Sequence, residues 1–305
     1  MTHPELAHLE LLAEVDSLAE GLGRWADSAP DWEPARACRA IVRRLGERTR
    51  AIRVRLEAPL VVATLGGTGT GKSALVNALI GTEVTQAARW RPTTRRPVFI
   101  CRPDVTPQAL GIDPASVEVV QRDTPALASL VLIDCPDPDT TEEPDAAGSN
   151  LARLRGLLPY CDVLLVTSTQ QKYRSARVAD ELAAAAAGAR LVFVQTHADV
   201  DQDIRDDWRR TLGDHYAAGR IFFIDSLAAL ADAQAGLEPR GEFAGLVDLL
   251  TRQLAGAAAT RVRRANLVDL AQETLAACRQ RIDAQRSTVE QLQTAIEQQR
   301  GRLAS

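Results

Sequence analysis

A glycine-rich segment carries the residues of this chain that are best suited to chemistry. Eight consecutive residues fit the pattern G-x-x-x-x-G-K-[ST], and they are Gly66, Gly67, Thr68, Gly69, Thr70, Gly71, Lys72 and Ser73. The glycines let successive backbone N–H groups curl around a phosphate, and Lys72 adds a compact, mobile charge for β- and γ-phosphates. We expect Ser73 to give its hydroxyl oxygen to Mg²⁺. The sequence therefore predicts a site for the phosphates of a nucleotide.

The segment lies between two predicted elements, as phosphate binding requires. Residues Leu60–Leu65 form a short apolar run that includes β-branched side chains, which predicts a buried strand. A helical pattern follows at residues 74–80, so the N-terminus of the helix adds its partial positive charge at the same point. Of the 36 basic residues, only Lys72 and Lys172 are lysines. Because the planar fork of arginine does not replace a point charge one for one, a lysine at position 72 supports phosphate binding.

Two acidic residues follow further predicted strands. Asp134 ends the apolar run that begins at Leu130, and beside the phosphate turn it is placed to hold a metal-bound water. Asp199 follows shortly after the apolar run that begins at Leu191. Its carboxylate can accept two hydrogen bonds from the N1–H and the exocyclic amine of guanine, which adenine cannot reciprocate. The sequence therefore predicts GTP rather than ATP as the nucleotide.

Strand patterns alternate with helical patterns through the middle of the chain. Such alternation is typical of an α/β fold with a mostly parallel sheet that helices cover on both faces. We expect strands at residues 60–65, 98–102, 117–120, 130–134, 163–167, 191–196 and 221–225. We expect the intervening helices at residues 74–80, 151–157, 175–187 and 204–212.

Helical patterns also flank this region on both sides. Apolar residues recur at steps of three and four over residues 5–26 and 34–57, and after Phe243 we predict helix to the end of the chain. From Val268 the spacing becomes a strict 3,4 alternation over roughly five heptads. This seam predicts packing on helices of the same molecule or pairing between molecules. Because the pattern is still running at Ser305, we expect the natural protein to continue.

These patterns divide the chain into three parts. We expect residues 1–58 to form N-terminal helices, residues 59–250 to form the α/β domain, and residues 251–305 to form a C-terminal helical segment with heptads. We expect the helices of the two ends to come together as a bundle or stalk.

Composition argues against several classes of protein. The 305 residues are 46% hydrophobic and 25% charged, which is typical of a globular protein and not of a disordered chain. We find no run of about 18 apolar residues and no secretory signal, so we expect a cytoplasmic protein. Five scattered cysteines favour a reducing compartment over a disulfide framework or a zinc site. A net charge of −4 gives no broad basic field, so we expect no nucleic-acid partner.

Three motifs together resemble those of translation-factor-type P-loop GTPases, which read GxxxxGK[ST], DxPG and [NT]KxD in this order. The corresponding segments are residues 66–73, 134–137 and 196–199. Residues 71–81 resemble the G-K-S-x-L-x-N-x-L-x-G run of large bacterial GTPases, and T-R-R-P at residues 94–97 resembles switch I of the dynamin superfamily. By this resemblance, which covers residues 59–230, Thr94 completes the Mg²⁺ shell, with Thr93 as the alternative.

The chain departs from the pattern of the family at several positions. His197 stands where the family has a lysine whose stem lies along the guanine ring, and imidazole can stack there too. Asp137 replaces the glycine whose N–H meets the γ-phosphate, which brings a carboxylate near that phosphate. Gly69 stands where dynamins have a serine, and no water-orienting glutamine is identifiable, so Thr68 is the residue we expect to order the water. We expect the fifth, base-flanking motif at Ser226.

The resemblance implies a GTPase that uses Mg²⁺ and binds GTP as its substrate. The implied catalytic residues are Lys72, Thr94 and Thr68. The implied GTP contacts are the eight residues of the first motif together with Ala74, Asp137, Thr196, His197, Asp199 and Ser226. The implied Mg²⁺ ligands are Ser73, Thr94 and Asp134.

The resemblance also implies partners. Dynamin-like proteins pair through the GTPase domain, pass the nucleotide state to a helical stalk and work on membranes, here at the inner face of the cell membrane, or on a protein effector. Two alternatives stay open: a regulatory switch that resembles ribosome-assembly GTPases, and a nucleotide-binding scaffold with very low turnover. Lys172 is expected either to lie on the surface or to contact a partner GTPase domain across the nucleotide.

Overall fold

Seven strands in the described part of the chain form one sheet. The computed structural model describes residues 3–55, 58–85, 96–137, 149–174, 188–213, 216 and 220–304. The strands are β1 (Leu60–Leu65), β2 (Val98–Cys101), β3 (Glu118–Gln121), β4 (Leu130–Asp134), β5 (Val163–Ser168), β6 (Arg190–Gln195) and β7 (Ile221–Phe223). Their order is β3-β2-β4-β1-β5-β6-β7, and every neighbouring pair is parallel except β2 with β4. The prediction of an α/β fold with a mostly parallel sheet is confirmed.

Burial explains why the central strands read as continuous apolar runs. Every residue of β1, β4 and β5 is buried, and these three strands are neighbours at the centre of the sheet. Alternate residues of β1 belong to two apolar clusters, Leu60 and Val62 to one and Val61 and Ala63 to the other. Because successive side chains of a strand point to opposite faces, both faces of the sheet are covered.

Five parallel strands end at the same edge of the sheet. They are β1, β4, β5, β6 and β7, and ligands of α/β proteins bind outside such carboxyl ends. The helices of this region are Lys72–Ile80, Asn150–Leu157, Arg205–Leu212, Ser226–Gln234 and Gly241–Asp248, followed by a π-helical turn at Leu249–Gln253. The helix predicted at residues 175–187 lies outside the described residues.

The chain divides into two units. One is Ala51–Asn266 and contains the sheet, and the other combines the residues up to Arg50 with those from Leu267 onward. In the second unit, helices from both ends of the chain pack around buried side chains, namely Ala26, Cys38, Val42 and Cys278. Residues 51–55 and 257–266 therefore lie in the same unit as the sheet. The predicted boundaries between the N-terminal helices, the α/β domain and the C-terminal segment, at 58/59 and 250/251, stay a prediction. No helix among the described residues is long and apolar enough to cross a bilayer.

The region after Phe243 is helical, as predicted, and its C-terminal heptad part is divided into two helices. The helix Ala257–Asp283 ends, and a further helix, Arg286–Ala304, begins after Gln285. The N–H of Gln285 bonds to a carbonyl three residues back instead of four, which tightens the turn at this point. Upstream, Gly256 has a left-handed φ of 60° and separates the heptad region from the preceding helical turn.

A buried ion pair fastens the start of the helix Ala257–Asp283 to the sheet. Asp162, directly before β5, is fully buried, and its Oδ2 accepts hydrogen bonds from the Val61 N–H at 3.0 Å and from Arg263 Nη2 at 2.8 Å. Arg263 Nη2 also donates to the carbonyl of Pro59 at 2.8 Å. One guanidinium thus joins three segments of the unit Ala51–Asn266.

We expect Arg263→Ala to lower the free energy of unfolding by about 3 kcal/mol, because the buried carboxylate of Asp162 loses its hydrogen-bonded arginine and keeps only the longer ion pair with Arg55, at 3.9 Å. Arg261 is exposed on the same helix and supplies a matched control. Arg261→Ala should change the free energy of unfolding by less than about 0.5 kcal/mol. Urea denaturation measures both values, and equal losses would show that the buried pair makes no specific contribution.

Candidate nucleotide-binding site

The glycine-rich turn after β1 depends on two glycines for its shape. Gly71 has a φ of 75°, in the left-handed region, and a Cβ there would lie 3.2 Å from the side chain of Thr196. A Cβ at Gly66 would lie 2.4 Å from Oγ1 of Thr167. The turn therefore packs closely against β5 on one side and against the loop after β6 on the other.

Lys72 begins the helix after this turn, and its ammonium lies within the turn. Nζ donates hydrogen bonds to the carbonyls of Gly66 at 2.9 Å and Gly67 at 3.1 Å. It also forms an ion pair with Asp137, from the loop after β4. Both side chains are largely buried. The lysine of the turn thus has a carboxylate partner, and that partner is the residue that departs from the pattern of the third motif.

A serine and an aspartate meet beside Lys72. Ser73 Oγ donates to Asp134 Oδ2 at 2.7 Å. Burial raises the pKa of Asp134, while the hydrogen bond from Ser73 and the charge of Lys72 oppose that rise. Among the described residues, no three side chains of His, Cys, Asp or Glu cluster as a metal cage. Mg²⁺ is commonly bound by one or two oxygen side chains plus substrate phosphates, so this pair fits a magnesium ion.

Hydroxyl groups tie the glycine-rich turn to the neighbouring strands. Thr70 Oγ1 lies 2.8 Å from Thr167 Oγ1, and Thr196 Oγ1 donates to the carbonyl of Thr70 at 2.9 Å. Thr70 and Thr196 were predicted from their motifs. Thr167 was not, because a hydroxyl inside a buried strand gives no distinctive signal in the sequence.

The loop after β6 carries the residues predicted to contact the base. His197 has a φ of 59°, which is uncommon for a residue with a side chain, and its Nδ1 lies 2.9 Å from Thr196 Oγ1. Asp199 is exposed. The Ala198 N–H donates to the carbonyl of Ile224 at 3.3 Å. This bond brings the loop after β6 next to the loop after β7.

Ser226 lies where the fifth motif was predicted, at the start of the helix Ser226–Gln234. Asp225 caps this helix, because its Oδ1 accepts hydrogen bonds from the N–H groups of Leu227 and Ala228 at 3.0 and 2.9 Å. The Ser226 hydroxyl is buried and has no hydrogen-bond partner among the described residues. A buried hydroxyl without a partner costs free energy, so this oxygen is suited to bond a ligand.

Comparison with protein-family models identifies the region around the turn. Residues 61–197 match the model of a family described as 50S ribosome-binding GTPase. The chain contains a P-loop GTPase domain. The matched part of the GTPase domain includes the glycine-rich turn, Asp134 and the loop after β6 as far as His197.

Solved structures resemble the chain in fold. An oligomerised bacterial dynamin pair, described as sensing and tethering membranes at long range, has 11% identity and a TM-score of 0.51, over 98% of this chain and 50% of that one. Era in complex with MgGDPNP and 16S ribosomal RNA has 20% identity and a TM-score of 0.42, over 59% of this chain and 57% of that one. This chain thus spans about half the length of the dynamin. A search of curated proteins gives no match.

The remaining predicted residues of the GTPase domain lie as follows. Thr68 is half-buried and Gly69 exposed in the turn, and Ala74 is half-buried in the first turn of the helix that follows. Thr94 and its alternative Thr93 lie outside the described residues, so their placement stays a prediction.

Thr85 contacts the GTPase site and was not predicted. Its Oγ1 lies 3.4 Å from the carbonyl oxygen of Ser73, and its hydrogen bond is one of the contacts that lower the pKa of Asp134. Asn77 holds Thr85 in place, because Asn77 Oδ1 accepts from the Thr85 N–H at 3.0 Å and Nδ2 donates to the Thr85 carbonyl at 2.9 Å. A sequence signal for this contact existed in Asn77, which belongs to the G-K-S-x-L-x-N run.

Proposed function

We propose that the GTPase domain binds GTP together with Mg²⁺ and hydrolyses it to GDP and phosphate. The observation that carries this proposal is the position of Lys72, whose ammonium lies inside the turn at the start of a helix. Ser73 would bind the ion directly and Asp134 through a water, with Thr94 as the further ligand. When bound, Mg²⁺ neutralises charge on the phosphates.

The residues of the chain act on the reaction by position and charge. Lys72 exchanges Asp137 for the β- and γ-phosphates, and the N–H groups of the turn surround the same oxygens. We propose that Thr68 orders the water that attacks the γ-phosphorus. The new O–P bond forms as the bond to the β–γ bridging oxygen breaks, and GDP keeps that electron pair. Loss of the γ-phosphate then releases Thr94 and the loop of Asp137.

GTP and ATP turnover over a series of protein concentrations tests this function, with Mg²⁺ present and Lys72→Ala as the blank. We expect turnover of GTP alone, with a specific activity that rises with protein concentration because the domain pairs. Equal turnover of ATP would contradict the assignment of the nucleotide. A near-zero rate beside tight GTP binding would contradict hydrolysis.

We expect Asp199→Ala to reduce the preference for GTP over ATP by about 30-fold, because two hydrogen bonds from guanine to a carboxylate are lost. Competition of GTP and ATP against a labelled nucleotide measures the preference. Val200→Ala changes the next residue, which is 66% exposed, and should leave the preference unchanged. An Asp199→Ala variant that still prefers GTP as the native chain does would place base recognition elsewhere.

We further propose that the protein is dynamin-like, in that two copies pair through the GTPase domain in a nucleotide-dependent way. The fold likeness to the bacterial dynamin extends over 98% of this chain, which includes the helices of both ends, and supports this proposal. The proposed site of action is the cytoplasmic face of the cell membrane or a protein effector, without nucleic acid. Light scattering with GDP plus aluminium fluoride, compared with GDP alone, tests the pairing, and vesicle sedimentation tests the membrane.

A regulatory switch is the second candidate function. The description of the matching family as 50S ribosome-binding GTPases favours it. Its distinguishing result is sedimentation of the protein with ribosomal subunits in the presence of a non-hydrolysable GTP analogue, but not with GDP. A scaffold with very low turnover is the third candidate, and the ion pair of Lys72 with Asp137 supports it.

A further inference from the structure

The loop after β5 brings the second lysine of the chain to the glycine-rich turn. Lys172 Nζ donates a hydrogen bond to the carbonyl of Thr68, which is 104 positions away in the sequence. The side chain is half-buried. The sequence left open whether Lys172 lies on the surface or contacts a partner domain, and the structure places its ammonium on the turn of its own molecule.

Neighbouring residues anchor the loop that carries Lys172. The Gln170 N–H donates to Asp201 Oδ2 at 2.7 Å, and Gln170 Oε1 accepts from the Gln202 N–H at 3.0 Å. The Lys172 N–H itself donates to the carbonyl of Thr169 at 3.0 Å. These bonds hold the backbone of the loop, so the ammonium reaches the turn from a fixed base.

The far side of the loop is anchored as well. The Tyr173 hydroxyl donates to the carboxylate of Asp207, and Arg174 Nη2 lies 2.7 Å from the same carboxylate. Asp207 takes up the charge of Arg174, whereas no carboxylate pairs with Lys172 in the part of the chain that the structure describes. Lys172 thus differs from Lys72, which is paired with Asp137: it is a cation at the turn that no carboxylate of the described residues neutralises.

We propose that Lys172 is a catalytic residue that acts in its own molecule, by contacting the phosphate end of GTP and stabilising the charge of the transition state. This role rests on the proposed hydrolysis of GTP. As water bonds to the γ-phosphorus, the bridging bond breaks, its electron pair stays on the β-phosphate of GDP, and the proton of the water goes to the phosphate product. A cation beside the turn stabilises that developing charge, as arginine fingers do in other GTPases, and Lys172 itself keeps its proton.

The test compares Lys172→Ala with Gln171→Ala, which changes the exposed residue directly before it. We expect Lys172→Ala to lower kcat for GTP by about 100-fold, as the loss of one transition-state contact does, and to leave the Kd for GDP within about threefold. Its Kd for GDP plus aluminium fluoride should rise in proportion to the loss of kcat. Lys172→Arg, which keeps the charge, should regain part of the rate. Gln171→Ala should match the native chain in all of these measurements.

A mixing experiment separates action within one molecule from action across a pair. Lys72→Ala keeps Lys172, and Lys172→Ala keeps Lys72, so a mixture of the two regains activity only if Lys172 serves the partner's nucleotide. We expect no regain, and a regain overturns the proposal. Native turnover in Lys172→Ala, or an equal loss of affinity for GDP and for GDP plus aluminium fluoride, also overturns it while the proposed hydrolysis stands. A native chain that binds GTP without turnover overturns the hydrolysis and this role together.

Discussion

We expect Lys72→Ala to lower kcat/KM for GTP by about 10²–10³-fold, the range seen when one preorganised charge-stabilising donor is removed. Lys72 Nζ already lies in the turn, within 2.9 Å of the Gly66 carbonyl and 3.1 Å of the Gly67 carbonyl. Little rearrangement is therefore needed for it to reach phosphate oxygens at the same point. Turnover under conditions of low substrate, with direct titration of GTP, measures the effect on rate and on binding.

Lys72→Ala also removes the ion-pair partner of Asp137. A control must therefore distinguish a loss of stability from a loss of turnover. We expect Lys72→Ala to lower the free energy of unfolding by about 2 kcal/mol, because a buried carboxylate loses its cation. The double variant Lys72→Ala/Asp137→Asn should recover most of this stability and none of the activity. If the double variant regained turnover, the loss in the single variant would reflect a damaged fold rather than the missing charge.

The contacts that the sequence predicts well are those between neighbours in the chain or at the ends of parallel strands. The eight residues of the turn are contiguous, and Asp134 directly ends β4. Parallel strands end at one edge of the sheet, so the motifs that follow β1, β4 and β6 had to converge once the strands were recognised. Local spacing and the rule for parallel sheets were enough to assemble these positions.

The contacts that the sequence did not predict join residues that are far apart. Thr167 meets Thr70 across 97 positions, and Lys172 meets Thr68 across 104. Hydroxyl and ammonium groups of this kind have no periodicity and no fixed spacing to the motif that they touch. Their partners follow from how close β1 and β5 lie in the sheet, which single-sequence patterns give only in outline.

The heptad region shows a different limit. Its side-chain types keep the 3,4 spacing across the turn at Gln285, but the backbone does not stay helical there. In the second of its two helices, the seam residues Val289, Leu292 and Ile296 are 39%, 59% and 54% exposed. A periodic pattern indicates which face of a helix is apolar. It does not indicate where the helix is interrupted or what covers that face. Pairing of this segment between molecules stays a prediction.

We expect Asp137→Asn to raise the affinity for GTP by about 100-fold, because it removes a carboxylate that repels the γ-phosphate and competes for Lys72. Two like charges about 4 Å apart interact by about 4 kcal/mol at an effective dielectric constant of 20, and solvent at the site reduces this figure. GDP has no γ-phosphate, so its affinity should rise by less, about tenfold. Isothermal titration with GDP and with a non-hydrolysable GTP analogue measures the two changes.

Asp137→Asn should raise the affinity for GTP, but in the absence of nucleotide it should lower the stability of the fold. Lys72 is buried, and in Asp137→Asn it keeps the carbonyls of the turn but loses its carboxylate, so we expect a loss of about 1–3 kcal/mol in the free energy of unfolding. Asp206→Asn makes the same change of charge at a side chain that is 95% exposed, and should alter neither stability nor affinity.

The affinity of Asp137→Asn for GTP, compared with that of Asp206→Asn, tests what the protein does with GTP. If Asp137 acts mainly as a counterion that GTP must displace, Asp137→Asn binds GTP more tightly and hydrolyses it faster at low substrate, which favours the scaffold with very low turnover for the native chain. If Asp137→Asn binds GTP no better than Asp206→Asn does, the carboxylate turns away when the nucleotide enters. In that case Lys72 leaves Asp137 without lowering the affinity for GTP. The aspartate in place of the glycine of DxPG then does not impair hydrolysis by a dynamin-like enzyme.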